Sequence, residues 1–148
     1  MEKTIILPGM WGKVNSDEID EEQMSYGVIT HRSGYKKLAF SGAVSAEGDI
    51  EEQTRQILSY RQNVLNEHGG DMDDITMLRM FVRKEVLSPE TQVRINEVRA
   101  EFFERPHYPG ATMIGVADLL HEDALIEIEI EAEIPEDGWE TEVITGDE

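Results

Sequence analysis

The feature that most constrains the fold is a near-perfect alternation close to the C-terminus of this 148-residue chain. Apolar side chains occupy every second position over residues 124–134. They are Ala124, Ile126, Ile128, Ile130, Ala132 and Ile134, and the positions between them hold Leu125, Glu127, Glu129, Glu131 and Glu133. A strand of period two presents one apolar and one polar face. The segment therefore predicts a strand that packs its isoleucines on a core and lines the opposite face with glutamates.

The rest of the chain predicts further strands around two helices. Helix signals are Asp49 as an N-cap with Gly69-Gly70 as a stop, and Ser88-Pro89 as a start with Pro106 and Pro109 as a stop. The predicted strands are an edge strand over Thr4–Leu7, a hairpin of Val28–Thr30 with Leu38–Ser41, and strands over Ile75–Val82 and Thr112–Val116. This order predicts an α+β fold in which two helices cover one face of a mixed, six-stranded sheet. We expect an oligomer to cover the other face.

Carboxylates dominate the charge, with 32 Asp and Glu residues against 13 Lys and Arg residues and a formal net charge of −19. Hydrophobic residues still make up 39% of the chain, which indicates a folded domain with an acidic coat rather than a disordered chain. Such a coat repels phosphate backbones and anionic lipids, so nucleic acids and membranes are disfavoured as partners. Arginine outnumbers lysine by 8 to 5. This balance favours adaptation to high salt over an ordinary acidic protein.

The absence of cysteine excludes disulfides and thiolate catalysis. No apolar run reaches the ~20 residues of a membrane-spanning helix, and the N-terminus lacks the pattern of a signal peptide. These features predict a cytoplasmic protein. Residues 1–25 are interpreted as an extension, residues 26–135 as the domain, and residues 136–148 as an acidic tail.

The usual motifs for cofactors and metals are missing from the sequence. Its glycines fit neither phosphate-binding nor dinucleotide-binding spacing. The four histidines are scattered without metal-ligand spacing: His31, His68, His107 and His121. We therefore predict neither a cofactor nor a metal. Among the glutamates, Glu127 is the candidate for chemistry because it opens its strand, whereas Glu129, Glu131 and Glu133 are interpreted as a solvated face.

Five separated segments together resemble the Rid family, also called the YjgF family, of reactive intermediate deaminases. They are Leu38–Gly42; a helix over 51–67 carrying Gln53, Gln56 and Asn63, followed by Gly70 and Asp74-Ile75; Asn96 with Phe102-Phe103; Pro109–Thr112; and Ile126–Glu129. The resemblance covers about residues 24–135. It implies a chorismate-mutase-like fold, a homotrimer, and small-molecule clefts between subunits.

The resemblance also implies an activity, the hydrolysis of enamines or imines to keto acids and ammonia. The glutamate that positions water in the family corresponds to Glu127. The residues expected to line the cleft are Tyr26, Ser41, Asn96 and Thr112. The family's substrate-clamping arginine is replaced here by Ala111, so Arg105 or His107 would have to substitute for it.

Three functions remain open from the sequence. The first is a homotrimer that hydrolyses imines with Glu127 as the base. The second is a trimer that binds or responds to a small ligand without catalysis, which the loss of the arginine at Ala111 favours. The third is an endoribonuclease or translation inhibitor, which the charge of −19 disfavours because RNA binding needs a basic surface.

Overall fold

A computed structural model describes residues 1–8 and 24–146 of the chain. The acidic stretch Asp17–Glu22 lies outside the described residues. Within them the chain forms six strands, two α-helices and one short 3₁₀ helix over Met72–Asp74. The elements are β1 (Lys3–Ile6), β2 (Gly27–Arg32), β3 (Tyr35–Val44), α1 (Ile50–Glu67), β4 (Ile75–Arg83), α2 (Pro89–Arg99), β5 (Gly110–Val116) and β6 (Ile126–Pro135).

The strands form one mixed sheet in the order β1-β2-β3-β6-β4-β5. Strands β4 and β5 run parallel, joined by α2 as a crossover, and all other neighbours are antiparallel. The α+β fold class, with two helices and a mixed six-stranded sheet, is thus confirmed. The alternating segment becomes β6, which lies between β3 and β4 near the middle of the sheet.

The core lies between the helices and one face of the sheet. Strand β6 buries every second residue from Ile126 to Ile134. The neighbouring strands contribute Leu38 and Phe40 from β3 and Leu78, Met80 and Val82 from β4; the helices contribute Ile57, Leu58, Leu65, Ile95 and Val98. The glutamates of β6 point to the opposite face, as the period of two requires. We call that opposite side the open face of the sheet.

Helix α1 begins where the sequence predicts. The Asp49 side chain accepts a hydrogen bond of 3.0 Å from the backbone N–H of Glu52, which satisfies one of the first-turn donors. The helix ends at Glu67, and Gly69 follows with a φ of +85°, a conformation that glycine adopts without strain.

Helix α2 is also capped as predicted but ends earlier than its apolar pattern suggests. The Ser88 hydroxyl accepts from the backbone N–H of Thr91 at 3.1 Å. The helix stops at Arg99, before Phe102 and Phe103, rather than at the prolines. Backbone N–H groups beyond it donate to carbonyls three residues back, so the chain tightens into turns. Phe103 still reaches the core from there.

Two buried polar side chains hold the loop that leads into β6. Gln53 on α1 donates to the carbonyl of Asp123 at 3.0 Å and accepts from the N–H of Leu125 at 2.8 Å. Arg83 at the end of β4 donates to the carbonyl of His121 at 2.8 Å and pairs with Asp118. These bonds fix the position of the first residues of β6, and therefore of Glu127.

The segment after β6 is held to the domain by two hydrogen bonds. The indole N–H of Trp139 donates to Asp74 Oδ1 at 2.8 Å, and the N–H of Glu136 donates to the carbonyl of Gly34 at 2.9 Å. At least this part of the acidic tail is therefore attached to the domain. Neither described helix is long and apolar enough to cross a membrane.

Candidate functional site

The site is built around an irregularity in the pairing of β3 with β6. Phe40 pairs with Ile130 and Ala43 pairs with Ile128, so two residues of β3, Ser41 and Gly42, oppose Glu129 alone. This is a β-bulge, which bends a strand and redirects its side chains. The bulge places the Ser41-Gly42 backbone next to the start of β6.

Glu127 lies against this bulge. A Cβ on Gly42 would come within 2.6 Å of Glu127 Oε2, so a larger residue there would displace the carboxylate from its observed position. Partial burial raises the pKa of the Glu127 carboxyl, and the nearby charge of Glu129 raises it further. A half-buried carboxylate with a raised pKa is suited to accept a proton from water near neutral pH.

Tyr26 and Ser41 are held together beside the bulge. The Ser41 hydroxyl donates to the carbonyl of Ser25 at 2.7 Å, and the Ser41 N–H donates to the carbonyl of Tyr26 at 2.9 Å. The Tyr26 ring makes edge-on contacts with Phe40 and Tyr60, each at a centroid distance of 6.0 Å. Burial raises the pKa of the Tyr26 phenol, which keeps it protonated.

A cavity of about 240 Å³ opens at this point, which suits a small metabolite. We call it the bulge cavity. It is lined by Tyr26, Gly42, Ala43, Val44 and Tyr60. Since Gly42 also contacts Glu127, the raised-pKa carboxylate lies next to the cavity wall.

Arg61 lies behind the same wall. This helix α1 residue is fully buried, with its guanidinium carbon 4.9 Å from the Tyr26 ring centroid and 5.2 Å from that of Phe40. Its Nη2 donates to the carbonyl of Ser41. Burial lowers the pKa of Arg61, but a guanidinium stays protonated in proteins. The sequence therefore supplies a buried cation beside the bulge.

The predicted cleft residues Ala111 and Thr112 lie on another strand, β5. Thr112 of β5 pairs with Arg79 of β4, which in turn pairs with Glu129 of β6, so Thr112 shares the open face with Glu127. From strand spacings and rise, the separation of Thr112 and Glu127 is about 12 Å. Ala111 pairs with Leu78 and points to the other face, where it offers only a methyl group.

Asn96 lies apart from both groups. It is exposed on α2, where its Oδ1 accepts from Arg99 at 3.3 Å. A second cavity of about 180 Å³ adjoins it, lined by Asn96, Arg99, Ala100, Phe103 and Tyr108. Arg105 is exposed in the loop before β5 and lines neither this cavity nor the bulge cavity.

One protomer thus brings together only part of the predicted set. Tyr26, Ser41 and Glu127 meet at the bulge, whereas the other predicted residues lie on α2, on β5 and in the loop before β5. Those others are Asn96, Arg105, Ala111 and Thr112.

The glutamates of β6 do not only face solvent. Arg79 donates to Glu131 Oε2 at 2.6 Å and lies 3.5 Å from Glu129 Oε1, on the half-exposed open face. Glu127, by contrast, is the strand partner of Val44, which lines the bulge cavity. In the described part of the chain, no group of three or more metal-ligating side chains comes together.

Sequence reasoning missed three residues of this site. Gly42 entered only as part of a resemblance, although the Glu127 carboxylate packs closely against it. Tyr60 and Arg61 were placed only within the helix. A signal for Arg61 was present in the sequence. It lies at helical spacing between the apolar residues Leu58 and Val64, on the face of α1 that is buried.

The chain matches known proteins over most of its length. A family model described as endoribonuclease L-PSP matches residues 24–134. Among characterised relatives, the 3-aminoacrylate deaminase RutC of Acinetobacter baylyi is 35% identical over 102 residues, which cover 68% of this chain and 75% of the relative.

Solved structures share the fold at lower identity. A YjgF-family protein from Mycobacterium tuberculosis superposes with a TM-score of 0.67 at 23% identity, covering 90% of this chain and all of that one. A YjgF-family protein from Neisseria meningitidis gives a TM-score of 0.67 at 19% identity, with coverages of 93% and 98%. These two likenesses establish the chorismate-mutase-like fold.

Proposed function

The chain belongs to the endoribonuclease L-PSP family, which is the Rid or YjgF family, and we propose that it hydrolyses a small enamine or imine with Glu127 as the base. One observation carries the proposal. A half-buried carboxylate with a raised pKa lies against the Ser41-Gly42 bulge, next to a cavity of metabolite size. The 35% identity to a 3-aminoacrylate deaminase supports the same chemistry.

The reaction is a hydrolysis that needs no redox partner. Glu127 accepts a proton from water as the water oxygen adds to the imine carbon, which gives a carbinolamine. The carboxyl group returns that proton to the imine nitrogen, which completes the neutral carbinolamine. Glu127 then takes the carbinolamine O–H proton and delivers it to the nitrogen as the C–N bond breaks and the carbonyl forms, so ammonia leaves. The net change is one imine and one water consumed, with one carbonyl compound and one ammonia formed.

The proposed active form is a homotrimer with clefts between subunits. The separation of the predicted site residues within one protomer supports it, because Asn96 and Thr112 lie away from the bulge cavity. Residues on the exposed edge strand β5 and on α2 are free to approach the bulge of a neighbouring copy. The open face of the sheet, with its glutamates half exposed, would be covered in the same assembly.

The specificity of the cleft should differ from that of relatives with an arginine clamp. Ala111 cannot donate a hydrogen bond to a substrate carboxylate, and a charge-assisted contact of that kind is worth about 1.5–3 kcal/mol. We therefore propose weak affinity for small imino acids. A non-catalytic, ligand-binding trimer is the second candidate, favoured by the same Ala111.

Ammonia release separates the two candidates. The protein is incubated with 2-aminoacrylate or 2-iminobutanoate generated in the cuvette, and ammonia is followed against the uncatalysed rate. The first candidate requires acceleration that Glu127→Gln removes, since the amide keeps the shape of the side chain but is a poor proton acceptor. The second requires the uncatalysed rate with and without the substitution.

A further inference from the structure

We propose that Arg61, a residue of helix α1, supplies the positive charge that selects anionic ligands in the bulge cavity. In this role it stands in for the arginine that β5 lacks at Ala111. The inference rests on the proposed function, because it assigns the carboxylate end of the ligand to this cavity.

The charge of Arg61 is poorly compensated. Within residues 1–8 and 24–146, its Nε and Nη1 atoms have no hydrogen-bond partner. The ion pairs found there involve Arg55, Arg79, Arg83 and Arg94, but not Arg61. A buried cation without a carboxylate raises the local potential, because the protein interior screens it less than water does.

The surroundings of Arg61 direct that potential toward the bulge cavity. The guanidinium lies 4.9 Å from the ring of Tyr26, which lines the cavity, and donates to the carbonyl of Ser41, next to Gly42 in the wall. The rings of Tyr26 and Phe40 give it cation–π contact but no negative charge.

The two ends of the site then differ in charge. Arg61 makes the Tyr26 side favourable to an anion, while the Glu127 carboxylate, which packs against Gly42, disfavours one. A ligand with a carboxylate at one end and an imine at the other would align with its carboxylate toward Tyr26. Arg61 touches no ligand in this arrangement, so it acts as a positioning residue through Tyr26 and the wall.

The test compares two ligands that differ only in charge. The affinity of 2-oxobutanoate, the stable keto acid product, is measured by calorimetry or ligand-observed NMR beside that of the neutral 2-oxobutanamide. For the wild type we expect the anion to bind more tightly. Arg61→Met should weaken binding of the anion by about tenfold or more and binding of the amide by less than about twofold, since only the anion is attracted by the positive charge.

Two further variants make the result specific to the charge at this position. Arg61→Lys restores a cation and should recover most of the affinity for the anion. Arg94→Met removes an arginine that is paired with Asp49 and Glu51 away from the cavity, and should leave both affinities unchanged. Thermal melts check folding, and Arg61→Met should melt no lower than Arg61→Lys, because an apolar side chain suits a buried site.

The outcomes separate this inference from the proposed function. The role of Arg61 is overturned if Arg61→Met loses affinity equally for both ligands, or loses none for the anion. This holds even if imine hydrolysis is present. In contrast, charge-dependent binding without any Glu127-dependent hydrolysis supports the role of Arg61 and overturns the proposed enzyme. Poorer binding of the anion than of the amide by the wild type contradicts the inference directly.

Discussion

The carboxylate of Glu127 packs directly over the Cα of Gly42, so close that a methyl group there would lie 2.6 Å from Glu127 Oε2. The contact joins the first residues of β6 to the bulge in β3. Because Gly42 and Val44, the strand partner of Glu127, both line the bulge cavity, the contact places the carboxylate beside the cavity wall.

Gly42→Ala should impair hydrolysis while leaving the fold intact. The added methyl pushes the carboxylate away from its water position, and a displacement of about 1 Å can cost up to 100-fold in rate. We expect at least a tenfold loss of kcat in the ammonia assay. Gly115→Ala on β5 is the matched control, because its Cβ would also make a close side-chain contact, 2.8 Å from Leu87 Cδ2, but away from Glu127. Equal activity of both variants would contradict the assigned contact.

The pH dependence of stability should reveal the raised pKa of Glu127. A carboxyl group whose pKa is higher in the folded than in the unfolded protein binds protons preferentially when folded. It therefore favours folding at low pH and opposes it as the pH rises above its unfolded value of about 4.3. Glu127→Gln should gain stability relative to wild type as pH rises from 4 to 8, measured by denaturant unfolding. If the difference in stability between Glu127→Gln and wild type stays constant over this pH range, the pKa of Glu127 is not raised.

Thermal stability should rise with salt. The chain carries 32 acidic against 13 basic residues, and at 1 M salt their repulsion is screened beyond ~3 Å. We expect the melting temperature to increase from low to molar KCl, and NaCl to act similarly. A flat or falling melting temperature would mean that the acidic coat is not an adaptation to salt.

The mass in solution should be three times the chain mass of 16.8 kDa. Light scattering or sedimentation in high salt measures it. Two features require partners in this account, namely the open face of the sheet and the separation of Asn96 from the bulge cavity. A stable, active monomer would remove the basis for a cleft between subunits.

The sequence predicted the elements whose signal is local. The period of two in β6, the Asp49 cap of α1 and the Ser88-Pro89 start of α2 each depend on neighbouring residues, and all three are found in the structure. The predicted end of α2, at the prolines, was wrong. The helix stops at Arg99, and the turns that follow still bring Phe103 into the core.

The site was less predictable because its relationships span distant parts of the chain. The bulge at Ser41-Gly42 exists only in the register of β3 against β6, which no single segment encodes. The burial of Arg61 depends on Tyr26 and Phe40, which precede it by 35 and 21 positions. The resemblance named Glu127 but could not place its carboxylate over Gly42.

Ammonia release by Ala111→Arg, with and without Glu127→Gln, tests the central claim most directly. In the proposed trimer, a guanidinium on β5 of a neighbouring copy would give the substrate carboxylate the direct contact that the wild type lacks. On 2-iminobutanoate, the account predicts weak turnover by wild type, a lower KM for Ala111→Arg by about tenfold or more, and loss of activity in the double variant. A folded, trimeric Ala111→Arg without gain, or a double variant that stays active, would contradict it.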